Sequence, residues 1–475
     1  LGEKVVPPFE IALLFKNLFY GKNNTFLYES INGSSITSQY SFMGTPNNNY
    51  VRIERDSSSF KLNKESGEIR GTVKDGWNVL NFESNVPNYK YSPHFWGGWV
   101  GFIGYEAGNA FENLPKRKPN ELELADVYFM QVDRLIVYDH NLNILKYIIA
   151  AEPSSKKSKY DEYKLEIQEM WKKIELILSK DSIKNPVKKK YKATHLNTSN
   201  FQSNLSQDNY RKIVIRAKTY ISDGDIYQVN LSQRFKTNFN GDPLSLYLKL
   251  REVSPAPFSG FLKFSEFSII SSSPERLLKI KDDKLETRPI AGTRPRGSDK
   301  KKDSALTTEL LLSEKERAEH LMLVDLERND MGRVCQTGSV KVTELMCLEK
   351  YSHVSHIVSN IEGELKKDIT IYDLLKSLFP GGTITGCPKI RCMEIINELE
   401  PSGRGLYSGS FGYIGFSRQL DLNILIRTIF VKNGEASFHV GAGIVADSNP
   451  ENEYKETLAK AAAMIEVLSD TTNKI

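Results

Sequence analysis

Three glutamates of this chain are spaced so that they could share a metal ion. Glu453 and Glu456 lie three residues apart in a stretch of helical periodicity, which puts both carboxylates on one face. Glu319, in Glu316-Arg317-Ala318-Glu319-His320, belongs to a second such stretch. Carboxylates without Cys or paired His beside them suit a hard cation. Mg²⁺ takes one or two of them and leaves its other positions to water and substrate. The plainer alternative for any such Glu pair is a solvated helix surface.

Other residues offer anion contacts. Pro380-Gly381-Gly382-Thr383-Ile384-Thr385-Gly386 precedes a helical stretch, so backbone N–H groups at a helix start could meet a carboxylate. Gly441-Ala442-Gly443-Ile444-Val445 would let backbone approach a ligand closely. Neither is a phosphate loop, because no Gly-Lys-Ser/Thr follows. Arg427 sits in an otherwise apolar run, and a buried guanidinium needs an anionic or carbonyl partner. That partner is a ligand carboxylate in bidentate contact or an internal salt bridge. His356 reads as a general acid/base, an electrostatic stabiliser or a satisfied core histidine. Glu275, in Ser273-Pro274-Glu275-Arg276, reads as a proton donor or as a surface turn paired to Arg276. A metal site, anion donors and proton-transfer groups together describe an enzyme acting on a small polycarboxylate.

The elements that must position these groups are legible in outline. Residues 159–180, Tyr210–Ile221, Glu309–Leu326, Pro388–Leu399 and Asn452–Leu468 carry apolar residues at helical spacing. Tyr227–Phe235, Phe411–Phe416, Leu422–Phe430 and Ala436–Val445 read as strands, and the glycine-rich Phe95–Tyr105 suits close-packed strands. Gly33-Ser34-Ser35 and Pro46-Asn47-Asn48-Asn49 are loop signals, and residues 181–206, rich in Lys, Asn and Ser, read as a linker. The mixture argues an α+β fold with extensive sheet.

Composition sets bounds on this reading. The 475 residues are enough for a large core, with 40% apolar and 26% charged content. Net charge is +5 from 64 basic and 59 acidic residues, too even to argue for nucleic acid. The four cysteines, Cys335, Cys347, Cys387 and Cys392, form no C-x-x-C pair, so reduced thiols in a cytoplasm are expected. No apolar run approaches the ~18 residues of a membrane span. The first residues lack the apolar core of a signal peptide.

Six segments together are specific: 223–235 (DGDIYQVNLSQRF), 273–276 (SPER), 287–296 (TRPIAGTRPR), 319–333 (EHLMLVDLERNDMGR), 380–394 (PGGTITGCPKIRCME) and 441–457 (GAGIVADSNPENEYKET). They resemble the chorismate-utilising enzymes, and within them the chorismate-binding subunits of anthranilate and aminodeoxychorismate synthases. The N-terminal residues 1–180 resemble that family more loosely, through Phe26-Leu27-Tyr28-Glu29-Ser30 and Gln39-Tyr40-Ser41-Phe42-Met43-Gly44. The resemblance implies a two-subdomain α/β sandwich with large, mostly antiparallel sheets, its chorismate-binding part spanning residues 207–470. It implies Glu319 and Glu456, with Glu453, as Mg²⁺ carboxylates, Glu275 as the acid for the departing C4 hydroxyl, and His356 as the active-site histidine. Gly292, Thr293, Thr383, Tyr407, Arg427, Gly443 and Lys460 match positions lining the substrate.

Gln228 stands where water-adding members carry a lysine base, so ammonia is the nucleophile expected. No cysteine has the glycine-flanked setting of a glutamine amidotransferase nucleophile, so a separate glutaminase subunit is expected to supply it. Ala291 stands where aminodeoxychorismate synthases usually carry lysine, which favours anthranilate synthase. Ser254-Pro255-Ala256-Pro257-Phe258-Ser259, Asn230 and Gly382 favour aminodeoxychorismate synthase, the expectation adopted. Glu29, Ser30, Pro257 and Phe258 match the family's tryptophan pocket. An expectation of a different class is a non-catalytic, amino-acid-sensing paralogue, which the retained Glu275, His356, Glu319 and Glu456 argue against.

Overall fold

Alternation of side chains decides the architecture. Successive residues of a strand point to opposite faces, and here each face has its own apolar partner. In the strand Thr25–Glu29, Phe26 and Tyr28 join one core while Leu27 joins another. In Arg134–Asp139, Leu135 and Val137 face the first and Ile136 and Tyr138 the second. In Gly98–Ile103, Val100 and Phe102 enter that same first core while Trp99 and Ile103 turn away from it. The shared core is therefore the interior of a sandwich, filled mainly by aromatic rings such as Phe95, stacked on Tyr413 with centroids 4.4 Å apart.

The structure, a computed structural model, describes residues 2–31, 39–62, 67–82, 95–115, 118–119, 121–151, 157–180, 200–350 and 354–472. The loop expected at Gly33-Ser34-Ser35 and most of the expected linker lie outside them. Among the described residues there are two sheets of 12 strands, and every strand pairing is antiparallel. Helices cover the outer faces. Ile11–Leu18, Lys157–Leu178, Pro243–Val253 and Pro450–Thr472 lie on the first sheet, and Val73–Val79, Glu314–Val334 and Ile371–Leu378 on the second. This is the α+β architecture expected. Each sheet takes strands from before residue 181 and from after residue 199, so the linker divides the chain and not the sheets.

Two expected elements are broken in ways that matter. The apolar run 422–430 is not one strand: Leu420–Asn423 belongs to the second sheet and Thr428–Lys432 to the first. Between them the chain crosses the sandwich, and Arg427 takes a left-handed φ of 49° in the crossing. The expected helix 309–326 is two helices, Lys300–Leu312 and Glu314–Val334, divided at Ser313, whose hydroxyl caps the second by accepting from Glu316 N–H at 3.3 Å. A second crossing runs the other way. Phe267–Ser273 lies in the first sheet and Arg276–Lys281 in the second, with Pro274 and Glu275 between. The crossings are bonded together: Ile424 N–H donates to Glu275 O at 3.0 Å, Ser273 Oγ to Ile424 O at 2.6 Å, and Ser272 N–H to Arg427 O at 3.1 Å. Glu275 and Arg427 are thus fixed side by side where the sheets exchange chain.

Candidate active site

The floor of the site is the antiparallel pair Gln228–Asn238 and Glu435–Ile444, in which Asn230 faces Gly443 and Ser232 faces Gly441. Close approach explains both glycines. A methyl at Gly441 would lie 2.5 Å from Asn230 Oδ1 and from Tyr407 Oη, and one at Gly443 2.7 Å from Gln228 Nε2. Tyr407 Oη donates to Asn230 Oδ1 at 3.3 Å, and Lys460 Nζ reaches Gly441 O at 3.0 Å from the closing helix.

Gln228 Nε2 donates to Glu319 Oε1 at 2.7 Å, linking the floor to the helix Glu314–Val334. Burial raises the Glu319 carboxyl above its ordinary range, and the neighbouring Glu456 raises it further. Glu453 is raised for the same two reasons, burial first. Glu456 is half-exposed and pairs with Lys460 at 2.8 Å. These three carboxylates, on two helices, therefore repel one another, which a divalent cation would relieve. Among the described residues no three His, Cys, Asp or Glu side chains enclose a metal by themselves. A Mg²⁺ completed by water and substrate fits this donor set.

Next comes Glu275, the expected proton donor. Glu275 is buried rather than on a surface turn, and its neighbour Arg276 is bound elsewhere, to Asp421 at 2.9 and 3.1 Å and to Glu286 at 2.5 Å. Burial pushes the Glu275 carboxyl up to about 8; Glu327 adds to this, while Thr383, the Ile290 N–H and Lys460 oppose it. At neutral pH it holds its proton. Arg427 has no ion-pair partner among the described residues, so the internal salt bridge is not found, and burial depresses its pKa. His356, on the strand Val354–Glu364, meets Thr293 Oγ1 through Nδ1 at 2.9 Å. Burial, with Arg427 nearby, brings His356 down to about 4, so it serves as a neutral imidazole. Ala291 is buried on the strand Ile290–Pro295, with a register shift between it and Thr293 at Gly292.

The loop 380–386 does not run straight into a helix. It forms a 3-10 turn, Gly382–Ile384, and a short strand, Gly386–Cys387, before the helix Lys389–Leu399. The Gly382 N–H faces Glu327 of the protein itself. Thr383 Oγ1 is buried beside the Glu275 carboxyl, and Gln228 Oε1 is buried without a partner among the described residues.

Sequence reasoning missed the arginine that ties these pieces together. Arg404, 1% exposed, binds Glu400 at 2.6 and 3.0 Å, Ile384 O at 3.0 Å, Ser408 Oγ at 3.0 Å and Asn230 O at 2.7 Å. It thereby joins the Thr383 turn, the Gln228 strand and the Tyr407 segment. A charged residue between Gly403 and Gly405 was the available signal. Glu327 was missed as well.

Glu29, Ser30, Pro257 and Phe258 do not join this site. They line a separate recess of about 400 Å³ with Tyr28, Phe411 and Tyr413. The Glu29 carboxylate is already held there, by Tyr247 Oη at 2.6 Å and Arg251 at 3.3 Å.

Residues 37–466 match the family described as chorismate binding enzyme. The chain is 45% identical over 373 residues to aminodeoxychorismate synthase component 1 of Bacillus subtilis (strain 168), covering 78% of this chain and 77% of that protein. It is 40% identical over 472 residues to anthranilate synthase component 1 of Acetivibrio thermocellus, covering 96% and 92%. Among solved structures, anthranilate synthase component I from Streptococcus pneumoniae TIGR4 superposes with a TM-score of 0.76 at 33% identity, over 91% of this chain and 93% of that one.

Proposed function

The chain belongs to the chorismate binding enzyme family, and from that premise we propose that it aminates chorismate at C4, giving 4-amino-4-deoxychorismate and water. The observation that carries the reading is a set of polar groups that the described residues leave incompletely satisfied. Among the described residues Arg427 has no ion-pair partner and Gln228 Oε1 no hydrogen-bond partner, and the Thr383 hydroxyl and the Glu275 carboxyl face each other. Such groups are costly unless a ligand completes them, and a dicarboxylate carrying a hydroxyl supplies what they need.

In this reading Arg427 grips one carboxylate in bidentate fashion, with Lys460 and Thr383 orienting the rest of the ring. Glu275, protonated at neutral pH, gives its proton to the C4 hydroxyl as the C–O bond breaks, so that oxygen leaves as water. Ammonia forms the new C–N bond, the resulting ammonium loses a proton to solvent, and Glu275 is reprotonated. Gln228 is neutral and takes no proton from water, which disfavours hydration. Glu319 and Glu456, with Glu453, would hold Mg²⁺, which supplies Lewis acidity at the ring carboxylate when bound. Ammonia would come from a separate glutamine amidotransferase subunit. No helix among the described residues is long and apolar enough to cross a membrane.

The C4 product is supported by the segment Ser254–Ser259, by Asn230 and by Gly382. One observation favours a second reading: Ala291 offers only a methyl where an attacking amine would stand, the pattern of enzymes that make anthranilate and release pyruvate. The deciding experiment incubates the purified chain with chorismate, Mg²⁺ and an ammonium salt and weighs the product. The mass of aminodeoxychorismate without pyruvate is expected. Fluorescent anthranilate with stoichiometric pyruvate would replace the first reading by the second.

A further inference from the structure

Glu327 is a buried carboxyl that the scheme above leaves without a task. It lies about two helical turns beyond Glu319 on the helix Glu314–Val334, and it faces the rear of the Gly382–Ile384 turn. A Cβ at Gly382 would stand 3.5 Å from Glu327 Oε1. The next residue, Thr383, presents its buried hydroxyl to the Glu275 carboxyl. A second route runs through Thr287. Its Oγ1 donates to Leu277 O at 2.9 Å and lies 3.4 Å from Glu327 Oε2. One hydroxyl hydrogen cannot serve both acceptors. The shorter bond takes most of it, and the longer, weaker contact favours the ionised form of Glu327. Leu277 is two residues from Glu275, so Glu327 touches both flanks of the proton donor without touching the substrate groups.

The charges around this pair are few. Asp330 stands on the helix of Glu327 and is paired with Lys389, from the helix Lys389–Leu399, at 2.6 Å. Lys460 and Tyr407 face Glu275 from the other side. Burial pushes Glu327 up to about 7, with Asp330 adding and Lys389, the Gly382 N–H and Thr287 opposing. Two carboxyls in one water-poor layer resist ionising together, so their titrations are linked.

We propose that Glu327 is a positioning residue for the chorismate reaction: buried behind the Gly382–Thr383 turn and beside the Thr287–Leu277 contact, it is the neighbouring carboxyl that keeps Glu275 in its acid form at neutral pH. The inference rests on Glu275 being the proton donor and is independent of which product forms. The test compares native protein with E327Q and E327D, following total chorismate consumption against pH. In E327Q the alkaline limb of kcat/KM is expected about one pH unit lower, with KM within about twofold of native. E327D, which retains the charge, is expected to keep the native limb. A uniform loss of kcat in E327Q with the limb unmoved would overturn the proposal, since that is what a purely structural role gives. Infrared titration of the protonated carboxyl band, assigned through E275Q, supplies an arm that needs no turnover. The Glu275 band should titrate at lower pH in E327Q, and an unchanged titration overturns the proposal. If native protein consumes no chorismate, the functional reading fails while the infrared arm still decides this one.

Discussion

The carboxamide of Gln228 donates to the carboxylate of Glu319 at 2.7 Å, joining the innermost strand of the site to the helix that would carry the metal. Glu319 is already raised by burial, with Glu316 and Glu456 adding, and this neutral donor is the largest effect opposing them, ahead of Lys315.

Removing that donor should therefore be felt at the metal. In Gln228→Leu the Glu319 carboxyl is expected to rise further, and the Mg²⁺ concentration for half-maximal activity to increase roughly tenfold or more. Activity titrated against Mg²⁺ measures it. An unchanged Mg²⁺ requirement would detach Glu319 from the metal.

Arg427 is expected to serve binding rather than stability. Arg427→Met removes a partly buried cation that has no ion-pair partner among the described residues, so its melting temperature should stay close to that of native protein. Losing a charged bidentate contact of about 1.5–3 kcal/mol should lower kcat/KM for chorismate by roughly 10- to 150-fold. A variant that melts lower and keeps its affinity would place Arg427 in the scaffold.

The opposite pattern is expected for Arg404. Its guanidinium is satisfied entirely within the protein, and Arg404→Leu leaves Glu400 buried and unpaired. Chemical denaturation should show a loss of about 3–5 kcal/mol. The variant should also lose activity, because the Thr383 turn and the Gln228 strand share that one side chain.

Glu275 makes both rate and stability depend on pH. Its carboxyl is raised from 4.5 in an unperturbed chain to about 8 in the fold. The native state thus keeps a proton that the unfolded chain has lost. That contribution to stability is fully present below about 4.5 and disappears as pH rises through about 8. Turnover, which needs the protonated form, should decline over the alkaline end of the same window. In E275Q the decline of stability between about pH 5 and about pH 9, followed by chemical denaturation, should be shallower, and turnover should be nearly abolished. Equal slopes for the two proteins would contradict a raised Glu275.

Periodicity made most helices and strands legible, and the ordered motifs pointed to the family that the comparisons show. Sequence could not reveal the crossing at residues 424–427, because apolar residues stand on both sides of it, from Leu422, Ile424 and Leu425 to Ile429 and Phe430. One half packs into each sheet, so hydrophobicity never marks the exchange. That same crossing gives Arg427 its place. Glu327 and Arg404 were hidden for another reason. Their partners Thr287, Gly382 and Asn230 are distant along the chain, and only folding turns a helix glutamate or a glycine-flanked arginine into a buried group. Ser313 ended a helix within a pattern that could have continued, because its hydroxyl competes for the next backbone donor.

The shared composition of the two sheets carries a consequence for how the polypeptide can be divided. Tyr28 and Phe42, early in the chain, lie against Phe411 and Tyr413, near its end. Neither portion owns enough strands to shield its own aromatic residues. Produced as separate polypeptides split between residues 180 and 200, the pieces are expected to precipitate when made singly. Made together they should recover as a one-to-one pair, since each completes the other's hydrophobic lining.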